Sequence, residues 1–558
     1  MNPAIRERLA LAERSFRNGN LAFAESLLEP ILAAAPSNAK ANELMAYVAG
    51  HRGDWDKSLA LLKRCTSRSD ASPEAWYYLG TLHLKRGHYR EAVVSLRTSL
   101  ARGGKFFEAL HDLGLALNQS GLHEQALDHY DQALSIRPDL AAAWSNRGVT
   151  LRALRRHREA LESLDRAVDL EPGSADAWIN RGVTLYRLGR YDQALEDYES
   201  ALSIEPDSAD IWTHRGTALT ALRRFDEAWA SYDRALALDP TFANAQWNAA
   251  LSRLAAGQFD IGLEKYEFRW LRTGAEPLRH THTPLWLGKE RLEGKRILVW
   301  AEQGYGDTIQ FCRYVPLVAA LGAEVVLEVP APLETLMGSL GGCAIVAQGH
   351  EVPQTDYQTP LLSLPLAFRT KLDTIPAPTR YLQPQPSRVA AWADRLGAAG
   401  EMPRIGIACS GRESFPDNDN RSAALSHFAS LRELGRLVLI QKELRGEDRA
   451  FLERSGGIER PGGPIGDFHD TAAIIENLDL VISTDTSVAH LAAALGKPVW
   501  ILLSWAPDWR WLLGRDDNPW YPSATLFRQE RPGDWAGVIA KVEKALIAFR
   551  NSPQAARC

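Results

Sequence analysis

A 34-residue period in the first half of the chain limits the possible folds more than any other sequence feature. Glycine, tryptophan, alanine and proline each recur in this register. Such a period is typical of a solenoid, in which each unit buries its apolar face against its neighbours. The residues in register include Gly80, Gly114, Gly148, Gly182 and Gly216; Trp76, Trp144, Trp178 and Trp212; Ala126, Ala160, Ala194 and Ala228; and Pro138, Pro172, Pro206 and Pro240.

Each repeat unit predicts a pair of helices. In residues 173–206 we expect one helix near 175–188 and a second near 191–204. Pro206 ends the second helix because proline cannot donate a hydrogen bond to the preceding turn. Small residues such as Gly182 let the two helices approach each other closely.

The pattern W-x-x-x-G, followed by A, Y/F, A and P, resembles the tetratricopeptide repeat. We expect an α-solenoid of about eight such units within residues 1–274, with degenerate units at both ends. A polar series lies two residues before the repeat glycine, on the helices that line the concave side of such solenoids. In protein O-linked N-acetylglucosamine transferases, whose repeats these resemble, such a ladder holds acceptor protein. We therefore assign Asn146, Asn180, His214 and Asn248 to acceptor binding, in series with Asp112; a polar surface without a ligand is the alternative.

Strands and helices alternate in the second half, as βαβ units require. We expect a joining segment (275–295), an N-terminal Rossmann-like lobe (296–385), a C-terminal Rossmann-like lobe (386–535), and a closing helix with a tail (536–558). A cleft would lie between the lobes, and the helix near 538–549 is expected to return to the first lobe. Strands are predicted at 297–300, 325–327, 344–346, 404–408, 437–440, 480–483 and 499–503.

Two strand-to-helix turns have the features of ligand sites. The apolar run 297–300 leads into Gln303, Gly304 and Gly306, and then into Asp307. The strand at 480–483 leads into Asp485, Thr486, Ser487 and His490. Free N–H groups at a helix start bind anions, and glycine allows a ligand to approach the backbone. The alternative without a ligand is an ordinary capped turn, in which Asp307 would serve as the N-cap.

The second half resembles family-nine glycosyltransferases, the heptosyltransferase-like group, from about residue 284 to 548. The stretches that carry the resemblance are Ala301–Tyr314, Leu361–Phe368, Leu439–Glu443, Ser483–Trp500, Asp508–Leu513 and Asn518–Pro522. The resemblance implies a two-lobed GT-B fold, a nucleotide-activated sugar as substrate, and no metal or other cofactor. In relatives a Trp-x-Gly-Asn motif is expected where this chain has Cys409-Ser410-Gly411-Arg412, and Asp417-Asn418 stands where Asn-Asp is expected.

The resemblance also implies roles for individual residues. Asp307 matches the proposed base, which takes the proton of the acceptor hydroxyl. Asp485, Thr486, Ser487 and His490 match the donor-binding motif. We add Lys442 and Arg421, which follow other strands, as cations for the donor phosphates, and count Gln303, Gly304 and Gly306 with the donor-binding residues. For Lys442 and Arg421, exposed surface positions are the alternative.

Composition excludes several classes of protein. The chain has 558 residues, enough for about three or four domains, and a net charge of −5, which does not favour nucleic acid or an anionic membrane. Its five scattered cysteines and the lack of a long apolar stretch indicate a cytoplasmic protein without a membrane span. His280 and His282 lack a third ligand nearby, so we expect no metal site.

These observations predict a metal-independent, inverting glycosyltransferase whose repeats recruit a protein acceptor, with homo-oligomerisation possible. Two alternatives stay open. The acceptor can instead be a glycan or a lipid-linked sugar, or the protein can be a non-catalytic repeat scaffold. The altered stretch 409–418 is the only feature that favours the scaffold.

Overall fold

The computed structural model describes residues 3–104, 107–272, 274–398, 400–411 and 418–551. The chain divides into two compact units: Met1–Leu188 with Glu196–Pro206, and Gly189–Leu195 with Asp207–Cys558. This division falls inside the repeats, so the last repeats belong to the same unit as the α/β part. The boundaries expected at 274, 295, 385 and 535 remain predictions.

Paired helices fill the N-terminal half, as the repeat period predicts. The two helices expected in residues 173–206 are Ala175–Arg187 and Tyr191–Ile204. The tetratricopeptide solenoid is thus confirmed. In the described part of the chain its helices are α1 Pro3–Arg17, α2 Leu21–Ala34, α3 Ala39–His51, α4 Trp55–Thr66, α5 Pro73–Lys85, α6 Tyr89–Ala101, α7 Phe107–Gln119, α8 His123–Ile136, α9 Ala141–Ala153, α10 His157–Leu170, α11 Ala175–Arg187, α12 Tyr191–Ile204, α13 Ala209–Ala221, α14 Phe225–Leu238, α15 Ala243–Ala255 and α16 Phe259–Tyr266.

The repeat glycines allow the two helices of a pair to touch. A Cβ atom added to Gly182 would lie 2.6 Å from Cε1 of Tyr198, closer than real Cβ contacts come. The buried Tyr198 ring occupies the space that the missing side chain leaves. Gly114 with Tyr130, and Gly216 with Tyr232, repeat the arrangement at 2.7 Å.

Two parallel sheets follow the repeats, and they confirm the α/β part of the predicted fold. The first has the strand order β3-β2-β1-β4, and the second β10-β9-β8-β5-β6-β7. In each sheet the chain reverses its direction of travel beside the first strand, at β1/β4 and at β5/β8. Such switch points are where ligands bind, beyond the carboxyl ends of the strands. The strands are β1 Arg296–Trp300, β2 Glu324–Val329, β3 Cys343–Ala347, β4 Tyr357–Pro360, β5 Arg404–Ala408, β6 Arg436–Leu439, β7 Ile458–Glu459, β8 Leu480–Thr484, β9 Val499–Leu503 and β10 Ala524–Arg528.

Three of these strands, β4, β7 and β10, were missed by the sequence patterns. The first, Tyr-Gln-Thr-Pro, is short and mostly polar, and β7 has only two residues. Their pairing depends on a long neighbour, as where Ile297 of β1 pairs with Tyr357 of β4. The seven predicted strands are all present, within one or two residues of the expected ends.

Helix α26 packs on the second sheet. Its Val538, Val542 and Leu546 are buried in one cluster with Ile405 of β5 and Leu437 of β6. The expectation that this helix returns to the first lobe is wrong, because its apolar side covers a face of the second sheet. The helices of the α/β part are α17 Tyr305–Phe311, α18 Val315–Ala319, α19 Glu334–Met337, α20 Leu364–Ala367, α21 Pro386–Leu396, α22 Asn418–Arg421, α23 Gly446–Arg454, α24 Phe468–Glu476, α25 Ser487–Ala494 and α26 Trp535–Arg550.

A buried ion pair ties the end of the repeats to the first sheet. Arg269 follows α16 and is 4% exposed, and Glu302 follows β1 and is 7% exposed. Arg269 donates to both carboxylate oxygens of Glu302, at 2.9 and 2.8 Å, and to Ser363 Oγ at 2.7 Å. Because Ser363 lies just beyond β4, this arginine holds both strand ends of the first switch point against the last repeat.

Replacing Gly182 with alanine is expected to destabilise the repeats by about 1–3 kcal/mol, the usual cost of overpacking, because the new Cβ meets the Tyr198 ring. Urea unfolding followed by circular dichroism measures this. Gly173→Ala is the matched control, since a Cβ there meets nothing within 4 Å. Equal unfolding midpoints for the two variants would contradict the close-approach argument.

Glu302→Gln is expected to lower the thermal stability of the α/β part by about 3 kcal/mol, because it removes one of the two carboxylates, Glu302 and Glu267, that neutralise the buried Arg269. Differential scanning calorimetry measures the change. Glu324→Gln is the control, because Glu324 pairs with Arg296 at the surface and such pairs contribute little. A similar shift for both variants would show that the buried pair has no special role.

Candidate functional site

The two predicted ligand turns meet between the lobes. The first follows β1 and begins α17; the second follows β8 and begins α25. A Cβ atom on Gly306 would lie 2.8 Å from Cδ2 of His490 and 3.6 Å from Cα of Ser487. The fold therefore brings the carboxyl edges of the two sheets together at their switch points.

Asp307 lies in the first turn of α17, as its third residue. Gly304 is the N-cap, and its backbone N–H donates to Asp307 Oδ2 at 2.8 Å. The alternative assignment of Asp307 as the N-cap is wrong, because the N-cap of α17 is Gly304, three residues before Asp307. The other carboxylate oxygen, Oδ1, accepts a hydrogen bond from Arg510.

The environment of Asp307 suits proton transfer. Burial raises the pKa of Asp307 above its ordinary value, although the Arg510 guanidinium works in the opposite direction. A carboxylate with a raised pKa is a stronger base at neutral pH.

Arg510 is a site residue that the sequence reasoning missed. It lies in a 3₁₀ turn, Trp509–Trp511, and is 6% exposed. It forms ion pairs with Asp307 and with Asp508 Oδ1, the second at 2.7 Å. The sequence signal that could have found it is a charged residue between two tryptophans, Trp509 and Trp511.

Asp485 and His490 lie on the second lobe, beside Arg510. Burial and the neighbouring Asp508 raise the pKa of Asp485 to about 6. Burial, together with Arg510 and other arginines, lowers the pKa of His490 well below its ordinary value, so its ring is neutral. Asp485 Oδ1 lies 3.8 Å from His490 Nε2, and the Trp511 ring stacks on the imidazole at 5.1 Å.

A chain of hydroxyl groups sets the tautomer of His490. Its Nδ1 lies 2.8 Å from Tyr521 Oη, and Tyr521 is hydrogen-bonded to Tyr381. Tyr381 donates its own hydrogen to the Ile309 carbonyl at 2.9 Å. The Tyr521 hydrogen therefore points to Tyr381, and His490 Nδ1–H donates to Tyr521. In this state Nε2 is an acceptor, so donation to a phosphate would need the other tautomer.

The start of α25 is open to an anion. Thr486 is its N-cap, but within the described residues no side chain caps the first turn. Thr486 Oγ1 is instead 3.0 Å from Ser483 Oγ. The N–H groups beginning at Ser487 thus form the anion-binding end of a helix dipole.

Arg421 and Lys442, the cations also predicted to bind the donor, differ in their relation to the cluster of Asp307, Asp485 and His490. The charge of Arg421 acts on the pKa values of Asp307, Asp485 and His490, so it contributes to the electrostatics of this cluster. Lys442 is exposed and donates to the Gly466 carbonyl at 3.1 Å, and its described contacts do not reach the cluster.

Gln303 has a left-handed backbone, with φ of 60°, which its place in the turn requires. Its Nε2 donates to Tyr266 Oη at 3.2 Å. Of the altered stretch 409–418, residues 412–417 lie outside the described residues. At its ends, Gly411 N donates to Asn418 Oδ1 at 3.1 Å.

Tyr266 of α16 brings the last repeat into the site. It is 2% exposed, and its ring lies 4.7 Å from that of Trp247 and 6.1 Å from that of Trp509. The charges of Arg510 and Asp307 both act on its pKa, which burial raises. No sequence pattern could place a repeat tyrosine beside a residue some forty positions further along the chain.

The amides of the polar ladder bond to the preceding repeat. In the first compact unit, Asn146 Nδ2 lies 2.9 Å from His111 Nε2, and Asn180 Nδ2 donates to Ser145 Oγ at 3.4 Å. In the second, Asn248 Nδ2 donates to Thr217 Oγ1 at 3.3 Å, while His214 lies 3.5 Å from Asp210. A bound peptide would therefore meet the amide oxygens first, or displace these bonds.

His280 is engaged by Glu328, whose Oε2 lies 3.1 Å from its Nε2. Among the described residues, no group of three or more His, Cys, Asp or Glu side chains is arranged to hold a metal ion. Nor does the described chain contain a helix with the length and apolar character needed to cross a bilayer.

Family models match two parts of the chain. Tetratricopeptide repeat models match residues 106–171, 145–211 and 184–243. The model of glycosyltransferase family 9 (heptosyltransferase) matches residues 465–541, which include Asp485, His490 and Arg510 but not Asp307.

A curated relative has a similar sequence over part of its length. Protein FlbA of Caulobacter vibrioides is 29% identical over 336 residues, 55% of this chain and 55% of that protein. The chain thus spans about half the length of the curated relative that it matches.

Solved structures align with part of the chain. The crystal structure of MamA aligns with a TM-score of 0.28 and 22% identity over 29% of this chain and 95% of that one. The Cut9–Hcn1 tetramer of the APC/C aligns with a TM-score of 0.35 and 19% identity, over 47% of this chain and 51% of that one. From the family models and the fold together, the chain joins tetratricopeptide repeats to a domain of the glycosyltransferase family 9 (heptosyltransferase) type.

Proposed function

We propose that the protein transfers a sugar from a nucleotide-sugar to a hydroxyl group of an acceptor protein, with inversion and without a metal ion. The contact between the Asp307 turn and the Asp485–His490 turn gives the main support. One turn offers a base and the other an anion site, and inverting transfer needs both on opposite sides of the anomeric carbon.

In the proposed reaction the acceptor hydroxyl gives its proton to the Asp307 carboxylate as its oxygen attacks the anomeric carbon. The bond from that carbon to the donor phosphate breaks, and its electron pair leaves with the nucleoside diphosphate. The raised pKa of Asp307 supports the first event. The uncapped start of α25 and the charge of Arg421 would stabilise the second.

The repeats support a protein as the acceptor. Their half-buried Asn146 and Asn180 amides lie on successive first helices, α9 and α11, as a ladder for an extended peptide requires. The Asp307 charge acts on the pKa of Tyr266 in the last repeat, whose hydroxyl accepts a hydrogen bond from Gln303 of the same turn. The last repeat therefore borders the turn that carries Asp307.

Asp307→Ala is expected to reduce transfer by about 10²–10⁴-fold, the usual contribution of a general base. Mass spectrometry of co-expressed candidate acceptors measures the adduct, and isothermal titration with UDP, GDP, ADP and CMP compounds measures donor binding. Asp373→Ala, at an exposed carboxylate of the first lobe, is the control. An adduct that persists in the Asp307 variant would remove this residue from its role, and a wild type that binds no nucleotide would favour the scaffold.

The double variant Asn146→Ala/Asn180→Ala is expected to raise the KM for a protein acceptor about tenfold, as the loss of two hydrogen bonds predicts. Donor binding should stay unchanged, since neither residue lies at the candidate donor site. Steady-state kinetics measure both, with Glu162→Ala, exposed on the second helix of the same unit, as the control. Unchanged transfer would favour a glycan or lipid-linked acceptor.

A further inference from the structure

We propose that Arg510 is a clamp operated by the donor. Without a ligand it holds Asp307, and the diphosphate of a bound nucleotide-sugar draws it away and releases the base. The inference rests on the proposed function and goes beyond it, because it makes proton abstraction depend on prior donor binding.

Both carboxylate oxygens of Asp307 are hydrogen-bonded within the protein. One carboxylate oxygen accepts the Gly304 N–H, and the other accepts from Arg510. Each oxygen keeps a second lone pair, but the guanidinium bonded to Oδ1 makes the carboxylate a weaker base, because its positive charge lowers the pKa of Asp307. The Gly304 bond is part of the helix start, so Arg510 is the partner that can leave.

Arg510 lies where a diphosphate would bind. Its charge lowers the pKa of His490, in the first turn of α25, and acts on Asp485 just before that helix. Its Nε atom is buried and has no hydrogen-bond partner among the described residues. An arginine that already bonds two carboxylates thus still has an unused donor, which an anion can fill.

The Arg510 guanidinium can turn while the backbone of this residue stays in place. The Arg510 N–H donates to Asp508 Oδ1 at 3.0 Å, and its carbonyl accepts from Asn518 Nδ2 at 3.0 Å. The head group lies against the rings of Trp509 and Phe311, at 4.9 and 5.4 Å. Flat rings guide a planar group without holding it to one bond. A diphosphate, with more charge and more acceptor oxygens, competes well against one carboxylate.

The departure of Arg510 from Asp307 is expected to change the number of protons that the protein binds. The charged groups that act on the Asp307 carboxylate are Arg510, Asp508 and Arg421, with Tyr266 close by. Arg510 opposes the rise that burial gives to the pKa of Asp307, so its departure raises that pKa further. At constant pH a larger fraction of Asp307 is then protonated, and donor binding takes up protons.

Titration calorimetry with a nucleoside diphosphate and with the nucleoside alone tests the clamp. We expect Asp307→Asn to bind the diphosphate several-fold tighter than wild type, because Arg510 has lost its competitor. We expect Arg510→Gln to bind it about tenfold more weakly, as the loss of a charge-assisted hydrogen bond predicts. The nucleoside should bind all forms equally. Arg515→Gln, a surface arginine of the same segment, should match wild type.

Titrations in two buffers of different ionisation enthalpy test the proton uptake. Uptake should occur with wild type and be smaller in Asp307→Asn, where only Asp485 and His490 still respond to the movement of Arg510. A merely structural role of Arg510 would not produce this difference. This comparison decides the matter even if Arg510→Gln is unstable, since Arg510 is intact in both proteins. Weaker binding by Asp307→Asn, or no proton uptake by wild type, would overturn the clamp while leaving the proposed transfer standing. Absence of nucleotide binding by wild type would overturn both.

Discussion

The structure depends on neutralising the charge of one buried arginine, Arg510, between the two sheets. Arg510 carries a full charge at a position almost closed to water, which is costly unless carboxylates surround it. Asp307 comes from the first lobe and Asp508 from the second, so the compensation itself holds the lobes in register. A change to any of the three alters both stability and chemistry.

Burial also determines which groups of the site stay uncharged, namely His490, Tyr521 and Tyr381. His490 is neutral because burial and nearby arginines disfavour a further positive charge. Tyr521 and Tyr381 bond to one another and to a backbone carbonyl, which leaves no isolated hydroxyl in the chain that they form. The site is thus divided into a charged half around Arg510 and a neutral half around His490, with Asp485 between them.

Sequence reasoning recovers the features that local physics determines. The repeat helices follow from a period, and the long strands from apolar runs, which is why α11, β5 and β9 lie close to their predicted ends. The turns Gln303–Asp307 and Asp485–His490 were found because each follows a strand and opens a helix. Short strands such as β7 were missed because their pairing is decided by neighbours, and the position of α26 because an apolar helix face does not specify which sheet it covers. Arg510 and Tyr266 were missed because their contacts join segments that are distant along the chain.

The ion pair between Arg269 and Glu302 also limits where the chain can be cut into stable fragments. Phe259, Leu263 and Tyr266 of α16 belong to the same buried cluster as the strands of the first sheet. A fragment beginning at residue 275 would strip apolar cover from that sheet and leave Glu302 as a lone interior charge. The final repeat is therefore structurally part of the α/β unit, although its sequence follows the repeat pattern. Exchange of repeat arrays between such proteins would have to take place upstream of it.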